Sequence, residues 1–140
     1  MLKDMKEKTK VIAYIFRKGR SEVLVFNHAD FPEAGTQVVG GTLEEGEDFK
    51  IALAREVLEE SGLTIDPSSF IKIGETTYHR KDKPEVNFRH YFSFVSDALP
   101  ERWSNIVKSD GEDNGMIFDF FWLPIEEAKR VLTGNFGELL

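Results

Sequence analysis

Residues 41–63 read GTLEEGEDFKIALAREVLEESGL, and in them Gly41, Glu47, Arg55, Glu56, Glu59, Glu60 and Gly62 stand in a register that one helix can use. At about 100° per residue, setting Glu56 at zero places Glu59 roughly 60° to one side and Glu60 roughly 40° to the other. Three carboxylates therefore converge on one flank of a helix. Such a trio repels itself unless a cation sits among its oxygens, so the stretch reads as a metal site. Ile51, Leu53, Ala54, Val57 and Leu58 fall on the other side and are expected to pack on a core. Glu47 and Asp48 suit the positive end of the helix dipole. Ser61-Gly62 supplies a stop, since Gly62 can take the left-handed conformation common just past a helix end. Without the surrounding pattern, the three glutamates would read equally well as a solvated acidic face.

On either side of this stretch the chain alternates strands and turns. Residues 10–16 (KVIAYIF) and 22–27 (EVLVFN) are β-branched and aromatic runs around Arg17-Lys18-Gly19-Arg20, a predicted hairpin. A loop over 28–36 holds Pro32 and Gly35, and 37–39 is predicted as a short strand entering Gly40-Gly41. Residues 71–79 and 87–95 are two further strands around a polar connection with Pro84, and 115–123 is another. Pro124 opens a helix predicted to run to about Leu132. Strands mixed with helices predict an α/β chain whose helices cover a mixed sheet.

Composition narrows the function. One domain of ordinary size, 1–140, is expected from the length, and 41% hydrophobic residues with 12 Phe and 2 Trp imply a packed core. Phe118, Phe120, Phe121 and Trp122 are read as part of it. No apolar run approaches the ~20 residues of a membrane span, and the first ten residues lack an apolar signal core. With no cysteine there is no disulfide framework, thiol nucleophile or zinc–thiolate site, which fits a cytoplasmic protein. A net charge of −7 argues against a stable nucleic-acid complex. His28, His79 and His90 lack ligand-like spacing.

The resemblance set out below implies phosphoanhydride hydrolysis, which needs phosphate charge neutralised and a water held and activated. Magnesium or manganese, preferring carboxylate oxygen, can do this with Glu56, Glu59 and Glu60 as ligands and the Gly41 carbonyl as a further donor. Glu56 is also the expected base toward the attacking water.

The whole pattern, G-x5-E-x7-R-E-U-x-E-E-x-G-U with Val57 and Leu63 at the aliphatic positions, resembles the signature of the Nudix hydrolase family at every defined position. The resemblance implies an α/β/α sandwich and a metal-dependent pyrophosphohydrolase acting on a nucleoside diphosphate linked to a variable group. By default that is a nucleoside di- or triphosphate. It also implies that Arg55 and Glu47 form an ion pair that braces the loop and orients the carboxylates. A later loop often adds an acidic ligand in such enzymes. Here 108–114 (KSDGEDN) offers Asp110, Glu112 and Asp113, with Glu112 favoured. Val39 stands where such families often carry proline, which touches loop stiffness only.

Alternation in NFRHYFSFV puts Arg89, Tyr91 and Ser93 on one face and Phe88, His90, Phe92 and Phe94 on the other. Arg89 is read as a phosphate contact and Tyr91 as a base or sugar contact. Tyr78, 15 residues past Leu63, lies near the position of a tyrosine that marks dinucleoside polyphosphate hydrolases. That activity and nucleotide-sugar hydrolysis remain alternatives, as does a noncatalytic nucleotide sensor, although the three intact glutamates favour catalysis. Both a monomer and a homodimer fit the sequence.

Overall fold

In the computed structural model, which describes residues 5–140, Lys18, Gly19 and Arg20 all take positive φ (52°, 64° and 66°). This turn folds β1 (Lys6–Arg17) back on β2 (Glu22–His28). The two strands pair only at Phe16–Val23 and Arg17–Glu22, then part. Residues 36–42 fill the gap. Gln37 bridges Phe26, the Val39 carbonyl accepts from Ala13 N–H, and β3 (Gly40–Thr42) pairs with Lys10, Val11 and Ile12. The predicted strand at 37–39 is thus a single bridge, and the true strand begins at the glycines. Gly40 is required there, because a Cβ would lie 2.6 Å from the Val11 carbonyl oxygen.

The sheet continues with β4 (Ile71–His79), β5 (Glu85–Val95), β6 (Trp103–Ile106) and β7 (Ile117–Pro124), in the order β4-β5-β1-β2-β7-β6 with β3 beside β1. Only β1 and β5 run parallel, so the sheet is mixed, as expected. Side chains alternate between its faces. Val11, Ala13 and Ile15 meet α1 (Phe49–Ser61), while Ile12, Tyr14 and Phe16 join the core beneath α2 (Ile125–Val131). The three-layer α/β/α expectation therefore holds. Phe118, Phe120 and Trp122 are buried in the first core, and Phe121 packs against the second. The strand β6 was not foreseen. No helix among the described residues is long and apolar enough to cross a membrane.

The Asp48 carboxylate caps α1 by accepting from Ile51 N–H at 3.0 Å, and Gly62 (φ 80°) ends it. Its buried face differs from the predicted stripe. Leu53 and Val57 are buried, but Ile51 is 61% and Leu58 48% exposed, while Ala52, Glu60 and Ser61 turn inward. The helix is rolled because β3 offers Glu60 a backbone donor and β6 wraps the helix end. Burying Leu53 and Val57 contributes about 1.5–3 kcal/mol each.

Candidate active site

The wedge at 36–42 brings the glycine backbone against the acidic flank of α1. Glu60, 8% exposed, accepts from Gly40 N–H at 3.0 Å. Glu56 lies over Gly41, where a Cβ would overlap its carboxylate, so a larger residue there would push the carboxylate aside. From the far side β6 fixes the helix end. Asn105 Nδ2 donates to the carbonyls of Glu59 (3.3 Å) and Glu60 (2.9 Å), and Trp103 Nε1 to that of Ser61 (2.9 Å). These bonds satisfy carbonyls that a helix end leaves open and hold two of the three glutamates in place.

Arg55 reaches two members of the trio and Glu47. Its Nη1 is 3.2 Å from both Glu56 and Glu59, and its Nη2 is 3.2 Å from Glu47. The Arg55–Glu47 pair is therefore present, and Glu47 also accepts from Glu44 N–H, which holds its carboxyl below the usual range. Among the described residues no three acidic side chains are gathered closely enough to hold an ion as they stand; the Arg55 guanidinium lies between two of them. The donor set nonetheless suits a hard cation. Burial pushes the Glu56 carboxyl up to about 7 against the pull of Arg55, with Glu59 adding to the rise. Burial raises Glu60 well above its ordinary value, and Glu56, Asp113 and Glu59 push it further. Buried acid oxygens under mutual repulsion, above a glycine that leaves room, are what a divalent cation relieves.

These residues line a cleft of about 750 Å³, a size that suits a small ligand. The 108–114 loop brings Asp110, Glu112 and Asp113 to it. Glu112 is exposed, and Asp113, half-buried, is the one whose charge Glu60 feels. Arg89 and Tyr78 also line the cleft, whereas Tyr91 is fully buried and donates to Glu138 at 2.5 Å. A shallower hollow of about 560 Å³ over β4 and β5, with Glu75 and Phe88 in its lining, lies away from the acidic trio.

Sequence reasoning missed Lys10. It sits opposite Thr42 on β1, half-buried in the cleft, and donates to Thr42 Oγ1 at 2.7 Å. It enters no ion pair among the described residues, whereas its neighbours are spent: Lys8 on Glu85 (3.3 Å) and Arg80 on Asp82 and Glu85. Burial, then Lys8, lowers the Lys10 pKa. The only signal in the sequence was a lysine entering an apolar strand.

Comparison with known proteins identifies the family and the fold. The NUDIX domain profile matches residues 6–138. The chain belongs to the Nudix family. It is 29% identical over 105 residues to the oxidized purine nucleoside triphosphate hydrolase of Mus musculus and 30% identical to that of Danio rerio. In each case the match covers 69% of this chain and 65% of the relative, so the chain spans just under two thirds of their length. Its fold resembles that of the MutT protein of Methanosarcina mazei Go1, with a TM-score of 0.67 at 18% identity over 97% of this chain and 91% of that one.

Proposed function

We propose that this Nudix chain is a divalent-metal-dependent pyrophosphohydrolase whose substrate is a nucleoside triphosphate, with magnesium or manganese held by Glu56, Glu59, Glu60 and the Gly41 carbonyl. The observation that carries this is one buried and two half-buried glutamates gathered over a glycine backbone in a cleft that also holds a lysine with no ion-pair partner among the described residues. A purine base is favoured because the relatives from mouse and zebrafish are named for oxidized purine nucleoside triphosphates.

The chemistry that a bound divalent cation brings is neutralised phosphoryl charge and a more acidic water. The chain's own residues do the rest. Glu56 takes a proton from the attacking water. Arg55 and Glu47 hold the Glu56 and Glu59 oxygens in line. Lys10 meets a phosphate oxygen, and Glu112 and Asp113 border the metal side from the loop.

The test is a panel of nucleoside triphosphates, dinucleoside polyphosphates and nucleotide sugars, with and without magnesium or manganese, read as phosphate or pyrophosphate release. Metal-dependent release from a nucleoside triphosphate is expected. No release from any member, together with a nucleotide-induced rise in melting temperature, would make the protein a sensor. On the substrate so found, Lys10→Met is expected to raise KM roughly 10- to 100-fold, the scale of one hydrogen bond to a charged group, while the melting temperature holds. An unchanged KM would remove Lys10 from the phosphate site.

A further inference from the structure

Arg89 is only 2% exposed, yet it lines the cleft. Its recorded hydrogen bonds all leave from Nη1, to Glu138 at 3.1 Å and Tyr91 at 3.5 Å, and its buried Nε has no partner among the described residues. Folded proteins rarely leave a buried donor unused. In a guanidinium, Nε and Nη2 share one edge that can donate two parallel hydrogen bonds. That edge is the unspent one.

The surroundings say what kind of acceptor it awaits. The Glu138 carboxylate is held by Arg89, by the Tyr91 hydroxyl at 2.5 Å and by the Thr76 hydroxyl at 2.9 Å. It therefore balances the guanidinium charge, and the cleft's half-buried cation without an ion pair among the described residues is Lys10, paired in register with Arg89 on the neighbouring strand. A phosphate gains more from Lys10 than from a neutralised arginine. The rings of Tyr78 and Phe136 lie 3.9 Å and 4.2 Å from the Arg89 guanidinium carbon. A flat ring approaching the guanidinium edge in its own plane comes to rest against those same aromatic groups.

We propose that Arg89 reads the nucleobase: its Nε–Nη2 edge donates to two adjacent acceptors on a purine, the O6 and N7 pattern of guanine unmodified at C8, and Glu138 positions it for that task. This rests on the nucleoside triphosphate reading above and replaces the phosphate contact expected from sequence. Arg89 opposes Lys10, and Lys10 opposes Thr42. Two strand spacings, about 10 Å, thus separate the base reader from the backbone beside the glutamates.

The experiment is nitrogen-15 NMR of the whole chain with magnesium. The Arg89 Nε–H resonance, assigned through bonds from its own side chain, is followed during titration with guanosine monophosphate and, separately, with inorganic pyrophosphate. It is expected to move and saturate with the nucleotide and to stay in place with pyrophosphate. Equal movement with pyrophosphate would make Arg89 a phosphate contact, and no movement with either would make it structural; both results overturn the proposal. Glu138→Gln is expected to lower the preference for GTP over CTP roughly tenfold or more, the scale of one bidentate base contact, chiefly through KM. An unchanged preference would remove Glu138 as a positioning residue. Failure of the wild type to hydrolyse any nucleoside triphosphate would overturn the functional reading separately, since the titration reports binding alone.

Discussion

Glu60→Gln is expected to lower kcat/KM by about 10²–10³-fold without loss of fold, the scale of several kcal/mol of transition-state charge stabilisation at 1.36 kcal/mol per tenfold. Glutamine keeps the shape and can still accept from Gly40 N–H through its amide oxygen. What it loses is negative charge where burial, and after it Glu56, Asp113 and Glu59, already raise the Glu60 pKa. In metal-free buffer the substitution therefore removes a desolvated charge, and the melting temperature is expected to hold or rise. With magnesium present the order reverses. Wild type gains stability by mass action, because the ion binds only the folded chain, and the variant gains much less. Melting curves in EDTA and in magnesium, beside steady-state kinetics, check both halves. Turnover near wild type in Glu60→Gln would place the chemistry elsewhere in the cleft.

The elements legible in the sequence are those whose signals are local. The hairpin at 17–20, the strands at 71–79 and 87–95, and the cap and stop of α1 each follow from residues a few positions apart. The roll of α1 does not. Ile51 and Leu58 belong to an apolar stripe by angle, yet they face solvent, because Glu60 finds its partner in Gly40, twenty residues away. β6 is invisible for the same reason. Its four residues, WSNI, carry little alternation, and their role comes from Asn105 and Trp103 reaching the carbonyls of α1. The acidic trio could be read because helical spacing alone groups it. Lys10 and the Arg89–Glu138 contact could not, because strand pairing and residues 49 positions apart create them.

The second large effect concerns pH. Glu56 has a folded pKa of about 7 against 4.5 for an ordinary glutamate, and Glu60 is shifted in the same direction. A carboxyl raised in this way binds more protons when folded, so its contribution to stability is full below about pH 4.5 and is lost as pH rises through about 7. The metal-free protein is therefore expected to lose melting temperature steadily from pH 4.5 to 7. Glu85 does not blur that window, since Asn87, Lys8 and Arg80 outweigh its burial and hold it near 2, and its contribution fades only in stronger acid. His90, whose pKa burial lowers, acts with the opposite sign near its own titration, so Glu60→Gln must be run in parallel. Magnesium needs ionised carboxylates, so the stabilisation it gives is expected to grow as pH rises over the same range. Thermal unfolding at pH 5, 6, 7 and 8, with EDTA and with magnesium, shows whether the two curves diverge. If the metal-free curve climbs through this window in wild type and variant alike, the glutamates are not the strained group, and the cation has nothing to relieve.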